Sequence, residues 1–420
     1  MYGIMSGYLE NGMQVILHKT HNNRTIACGV WVNQGSKHED DKTNGLSHLV
    51  EHLLINRNSD SNFNYLMNEV INNGIRYNAS TTKEYTSFFL KGLSNNLNLY
   101  LDVLYNIVAK RKKFKKQLVE NEKKVVEREA ISYYSSFNQI KERTSQALYG
   151  NLDIGRIIVG DLKVIRNASV SQIEELIKKT YVPEYSTLVM VGDINYEDVL
   201  NKISDKFSGW EGRNKLNYKE VIEREPGIYF NELAQSQNAV VSIGFRLPMM
   251  DDDSVISTEI GATILGDTLV GARIPHEIRD KKGLAYNVGA FVNSYKNKGT
   301  LGFTAVCKHE SVKEVVTIMM NEFNKVKLHG FNKEELKKAK KAIETRRLLN
   351  LDNLSNQLNH LGNNVVRGKL YSLEHEMRCI KNIELDLVNN SMNNIFQEDN
   401  IGLALIGNCD IDDIIPKLTF

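Results

Sequence analysis

The sequence predicts an α+β fold built twice, as two similar domains in which sheets are covered by helices. Three observations lead there. The chain has 420 residues, more than one hydrophobic core usually organises. Strand-like and helix-like segments are mixed through each half. Two patterns also recur at one interval. The strand-like "ACGVWVNQG" at 27–35 is echoed by "SIGFRLPMM" at 242–250, with Gly29 and Gly244 215 residues apart. "STLVMVGDINYEDVLNKI" from Ser186 is echoed by "IGLALIGNCDIDDIIPKL" from Ile401, with Gly192 and Gly407 again 215 apart. Each member of the second pair reads as a β-rich run, a glycine, an acidic turn and an amphipathic helix.

In chain order, apolar runs predict strands near 13–19, 27–33, 85–92 and 186–192. Helical periodicity predicts helices near 45–56, 61–73, 95–110, 115–134 and 169–180. The polar segment "EGRNKLNYKEVIEREPG" at 211–227 reads as the joint. The expected organisation is a first domain over 1–212, a linker over 213–226 and a second domain over 227–420.

Composition excludes several classes. Apolar residues at 41% and charged residues at 25% are ordinary for a globular chain. Lys plus Arg numbers 53 and Asp plus Glu 51, a formal charge of +2, which argues against a dedicated nucleic-acid binder. The basic run "KRKKFKK" at 110–116 lacks interleaved aromatics and reads as a solvated helix end or loop. Cys28, Cys307, Cys379 and Cys409 are scattered, with no C-x-x-C pair, as expected in a reducing compartment. No apolar run reaches the roughly 18 residues of a membrane span, and the N-terminus carries no leader pattern. The expectation is a cytoplasmic protein with neither membrane nor nucleic acid as partner. There is no G-x-S-x-G, P-loop or dinucleotide fingerprint.

The chemistry-bearing stretch is "HLVEH", residues 48–52. On a helix, positions i and i+4 share a face, so His48 and His52 can reach one ion. A catalytic zinc takes three protein ligands and leaves a position open. Glu51 lies beside that face and could accept a proton from water. Two ordinary histidines on an ordinary helix would look the same, so a third ligand decides. In "FKKQLVENEKKVVEREAI" at 114–131, Phe114, Leu118, Val125 and Val126 form an apolar helical stripe that also contains Glu122 and Glu129. Carboxylates buried there need a cation or good hydrogen bonds. The alternative is a salt-bridged or partly exposed edge. Glu129 is the candidate ligand, and Glu122, two turns earlier, a supporting residue. Under the 215-residue offset His48, Glu51 and His52 map to Thr263, Gly266 and Asp267, so only the first copy carries the motif.

With these residues in view, the chain resembles the pitrilysin, insulin-degrading enzyme and mitochondrial processing peptidase family of inverted-motif zinc peptidases. "HLVEH" is followed, after 76 intervening residues, by Glu129 within "ENEKKVVERE". "QGSKHED" at 34–40, "YNASTTKEYTSF" at 77–88, "YVPEYSTLVMVGDI" at 181–194 and "RDKKGLAY" at 279–286 also fit its pattern. The resemblance implies one Zn2+ per chain on His48, His52 and Glu129, Glu51 as general base, and Glu122 beside them in the catalytic centre. It implies that Asn78 and Ala79 contact an extended peptide by strand addition. It implies that Arg279 and Tyr286 contact substrate near the scissile bond, Tyr286 at the oxyanion. "NAST" could otherwise be a plain turn, and "RDKKGLAY" a helix end capped by Gly283.

For the fold, the resemblance implies mainly antiparallel sheets and two domains forming half of a clam-shell chamber. For function, it implies an endopeptidase for short or unfolded peptides. A dedicated leader-peptide or peptide-product maturation enzyme, with or without a sister subunit, is the alternative within that class. A non-catalytic structural or binding subunit is the alternative outside it. Because the chain holds both the metal motif and the Arg/Tyr pair, a homodimer is expected, with a heterodimer of related chains as the alternative. "LLINRNSDSN" after the motif departs from the family's usual small and aromatic run.

Overall fold

The computed structural model describes residues 3–20, 24–56, 60–110, 113–212, 225–232, 236–249, 251–267, 271–370 and 373–420. Parts of four sequence features therefore lie outside the described residues: 213–224 of the expected linker, 111–112 of the basic run, 57–59 of the departure after the histidine motif and 250 of the strand-like repeat at 242–250. Two compact units divide the chain. One comprises Met1–Ser132, Ile157–Glu220 and Asn350–Ser372; the other comprises Tyr133–Arg156, Val221–Leu349 and Leu373–Phe420. Each unit thus takes most of one expected half and a short segment of the other.

In the first unit, six strands pair among the described residues. They are β1 (Ile4–Tyr8), β2 (Gln14–Lys19), β3 (Thr25–Val32), β4 (Arg76–Thr81), β5 (Thr86–Leu93) and β6 (Ser186–Gly192), in the order β1-β2-β6-β3-β5-β4. Only β2 and β6 run parallel. β3 reads "TIACGVWV" with almost no polar break because both of its faces are covered. Cys28 and Val30 face a core with Leu49, Leu53, Leu101 and Leu104 from the helices Leu46–Ile55 and Leu97–Val108. Ala27 and Trp31 face Leu354, Leu358 and Leu361 of the helix Leu354–Val366, a segment from the second half of the sequence.

The second unit repeats the plan with β7 (Ile228–Asn231), β8 (Asn238–Leu247), β9 (Ala285–Ser294), β10 (Gly299–Lys308) and β11 (Ile401–Ile406), ordered β7-β11-β8-β10-β9. Here β7 and β11 form the parallel pair. One face of β8 packs Val241, Ile243 and Phe245 against Phe323 and Phe396. The other face meets the helix Ile140–Tyr149, from the first half, through Ile140 packed on Val240 and through hydroxyls. Thr144 Oγ1 donates to Ser242 Oγ at 2.7 Å, and Tyr149 Oη donates to the Gly299 carbonyl at 2.6 Å.

The mainly antiparallel α+β architecture and its duplication match expectation, and each strand and helix expected in the first half forms within a few residues of its range, while the strands Ile4–Tyr8 and Arg76–Thr81 and the helix Ile140–Tyr149 were not among those ranges. Two details differ. Gly29 pairs with Val189, but Gly244 pairs with Gly402, two residues short of the position that a constant 215-residue offset requires. A slide of two keeps every side chain on its own face, so the repeat tolerates it. The glycines that end each repeat are needed for close approach. Gly192 (φ +137) and Gly407 (φ +150) would place a Cβ 2.4 Å from the Thr25 carbonyl and 2.5 Å from the Ala239 Cβ. The helix expected after Gly407 does not form, and only a short 3-10 turn, Ile415–Lys417, follows. Pro416 lacks the N–H a continuing helix needs.

Candidate metal centre

The first unit presents the histidines on the helix Leu46–Ile55, entered at Gly45 with φ +102. Gly45 has no side chain to cap the helix. The buried carboxylate of Glu39 does so instead, accepting from the N–H groups of Gly45 at 2.8 Å and Ser47 at 2.7 Å and from Asn44 Nδ2 at 3.1 Å. A carboxylate at a helix N-terminus also complements the helix dipole. Burial pushes the Glu39 carboxyl upward, and those hydrogen bonds oppose the shift. Sequence reasoning placed Glu39 only within the family-like stretch 34–40; its capping role depends on tertiary contact.

The second carrier is the helix Lys116–Tyr134. The expected apolar stripe is rotated. Val119 and Val126 are buried, whereas Val125 is 45% exposed. Glu122 is buried at 8%, but the Glu129 side chain is 51% exposed, so one of the two carboxylates is sequestered rather than both. The helix packs through Val119 and Val126, which leaves Glu129 facing the histidines and solvent.

His48, His52 and Glu129 each offer one ligand atom within 4.8 Å of the others, the one such cluster of three His, Cys, Asp or Glu among the described residues. Glu129 Oε2 stands 3.8 Å from His48 Nε2 and 3.3 Å from His52 Nε2. Tetrahedral zinc with bonds of about 2.0–2.1 Å separates its ligands by roughly 3.3 Å. The two nitrogens and one carboxylate oxygen therefore fit zinc in kind; the His52–Glu129 pair has that spacing, and His48 stands somewhat wider. On the far side of its ring, His52 Nδ1 lies 3.5 Å from Glu122 Oε2, which also accepts from Asn56 Nδ2 at 3.3 Å. The two imidazoles meet edge to face, with centroids 4.8 Å apart.

Glu51 accepts a 2.5 Å hydrogen bond at Oε2 from Thr81 Oγ1. Burial pushes the Glu51 carboxyl upward, against the Thr81 bond and the His52 charge. Burial alone would lower His52, but Glu122, Glu51 and Glu129 outweigh it and raise the imidazole. The buried Tyr181 phenol is also pushed up, by burial and by the Glu51 carboxylate, and stays protonated.

Asn78 and Ala79 lie on β4, the terminal strand of the first sheet, paired on one side with β5 as Asn78↔Phe89 and Ala79↔Phe88. Asn78 is exposed and Ala79 half-buried. "NAST" is therefore strand, not turn. Arg279 and Tyr286 belong to the second unit. Arg279 sits in the helical turn His276–Lys281 and its Nε donates to Asp280 Oδ1 at 2.8 Å. Gly283, φ +62, closes that turn as expected. Tyr286, at the start of β9, is 86% exposed.

At the positions that the 215-residue offset assigns to the motif, the second unit holds other side chains. Gly266, at the offset position of Glu51, would place a Cβ 2.5 Å from the Ala290 Cβ of β9. Asp267, at the position of His52, accepts from Arg346 Nη2 at 2.5 Å. An ion pair there links the helix Asp252–Gly266, through its C-cap, to the helix Lys333–Leu351.

Comparison with known proteins agrees with this layout. The family profile described as "Insulinase (Peptidase family M16)" matches residues 14–161, and "Peptidase M16 inactive domain" matches 167–343. An uncharacterized zinc protease of Bacillus subtilis is 25% identical over 402 residues, covering 94% of this chain and 96% of that protein. A probable mitochondrial-processing peptidase subunit beta of Arabidopsis thaliana is 23% identical over 416 residues, covering 95% of this chain and 77% of that protein. Among solved structures, a Helicobacter pylori protease superposes with a TM-score of 0.86 at 19% identity, covering 97% of this chain and all of that one. A chain of complex III2 from Candida albicans superposes with a TM-score of 0.84 at 15% identity over the full length of both. No helix among the described residues is long and apolar enough to cross a membrane.

Proposed function

Since the chain belongs to peptidase family M16, the insulinase family, we propose that it is a zinc-dependent endopeptidase acting on short or unfolded peptides. The observation that carries the reading is the convergence of His48, His52 and Glu129 on one point, with the carboxylate of Glu51 on the same helix as the two histidines. Zinc held by those three groups supplies Lewis acidity and activates water. The protein's own residues supply the rest. Glu51 takes a proton from the attacking water and returns it to the leaving amine, a role worth roughly 10²- to 10⁴-fold. Glu122 holds the His52 Nδ1–H and so fixes the tautomer that leaves Nε2 free to ligate. The open edge of β4 at Asn78 and Ala79 pairs with the substrate backbone, so selection favours extendable chains over particular side chains. Arg279 and Tyr286 contact substrate beside the scissile bond.

A homodimer is the assembly this reading favours. Pairing with a related chain is the second reading, favoured by relatives described as subunits of a processing peptidase. In that case the chain serves maturation of a particular peptide. The deciding experiment replaces Glu51 with Gln. The reading expects the variant to keep zinc and lose cleavage of an unstructured peptide. Equal cleavage by both proteins would remove Glu51 from the mechanism, and no cleavage by the zinc-loaded parent favours a non-catalytic subunit.

A further inference from the structure

We propose that Thr81 is a positioning residue for Glu51: its hydroxyl holds the base carboxylate in the orientation that proton transfer requires. The inference rests on the peptidase reading above and extends it to a residue outside the metal motif.

Proton counting supports the assignment. Each threonine hydroxyl has one proton to give. Thr86 Oγ1 lies 3.4 Å from Thr81 Oγ1, but it donates to the Gln34 carbonyl at 2.8 Å. Thr81 is thereby left to donate to Glu51, at 2.5 Å. When Glu51 is ionised, as a general base must be, its carboxylate only accepts, so Thr81 is the donor. Among the described residues, no other side chain donates a hydrogen bond to Glu51 at this distance. Thr81 is itself held in place, because it ends β4 directly opposite Thr86 of β5. The strand register, rather than a flexible loop, thus sets where the base points.

A glutamate side chain has several rotamers, and a general base must lie within about 2.6–3.2 Å of the proton it takes. One short charge-assisted bond at Oε2 restricts that freedom and leaves Oε1 to work.

The test uses the full zinc-loaded chain and an internally quenched unstructured peptide. Thr81→Val keeps the shape and removes the donor; Thr81→Ser keeps the donor. The proposal expects Thr81→Val to lower kcat about tenfold to a hundredfold with KM nearly unchanged. Thr81→Ser should restore kcat to within roughly threefold. Zinc content and thermal midpoint should match the parent. In a Glu51→Gln background, Thr81→Val should change neither the residual rate nor peptide affinity. Should Thr81→Val fail to fold, Thr81→Ala with Thr81→Ser makes the same comparison. Parent-like kcat in Thr81→Val, a loss as large in Thr81→Ser, or loss of zinc with the hydroxyl overturns the proposal. A parent that cleaves nothing overturns the peptidase reading instead, and this inference with it.

Discussion

His52 Nδ1 faces Glu122 Oε2 at 3.5 Å, on the opposite side of the ring from the Nε2 that faces Glu129. On the proposed reading, that relationship would make Glu122 a determinant of metal affinity without being a ligand. Glu122→Gln should weaken zinc binding about tenfold to a hundredfold while one ion per chain still binds at saturation. Competition against a chromophoric chelator measures it. Unchanged affinity would remove Glu122 from the centre.

The same carboxylate governs proton release. In the metal-free protein the His52 imidazole is raised above its ordinary value of about 6.5, burial being outweighed by Glu122, Glu51 and Glu129. A raised imidazole holds its proton to higher pH. Just above the ordinary imidazole value, zinc must therefore displace that proton, and affinity falls as pH drops through the raised value. Calorimetry in buffers of different ionisation enthalpy should show proton release on zinc binding, smaller in Glu122→Gln. By the same linkage, whatever stability His52 protonation gives the metal-free fold is present at lower pH and lost as pH rises through the raised value. Equal proton release by parent and variant would contradict this.

Gly362 tests the helix that the second half lends to the first unit. A Cβ there would come within 2.2 Å of the fully buried Trp31 ring. Gly362→Ala gains about 1 kcal/mol of helix propensity, but overpacking costs roughly 1–3 kcal/mol. The expected outcome is a net loss of about 1 kcal/mol, read as a lower denaturation midpoint without loss of bound zinc. A more stable variant would mean that this helix packs less closely on β3.

Strand addition at β4 predicts that substrate backbone matters more than substrate side chains. N-methylating alternate amides of a bound peptide should weaken its affinity for Glu51→Gln about tenfold, because each methyl removes a donor in the ladder. Alanine replacement of the same residues should do less. Fluorescence anisotropy with labelled peptides distinguishes the two, and the reverse order would move recognition away from the edge.

The parts of this molecule legible in sequence were those with local signatures. His48 and His52 are one helical turn apart, and β3 and β6 are long β-branched runs, so each announced itself. Glu39 and Thr81 did not, because their partners lie elsewhere in the chain: a glutamate seven residues before Leu46 has no cap spacing, and Thr81 meets Glu51 only after β4 pairs with β5. The helix Ile140–Tyr149 was not expected, because its partners lie in the other half of the chain: Ile140 packs with Val240 and Ala404, and Thr144 and Ser145 bond to Ser242 and Thr300. Val125 was misplaced because helical phase alone does not say which way the helix is turned.

The most direct measurement is zinc K-edge absorption on the purified, zinc-loaded chain, compared with Glu129→Gln. The account predicts two imidazole nitrogens and a carboxylate oxygen at about 2.0–2.2 Å, with solvent as the remaining ligand, and loss of one protein oxygen in the variant. A fourth protein ligand closing the site, or a spectrum indifferent to residue 129, would contradict it.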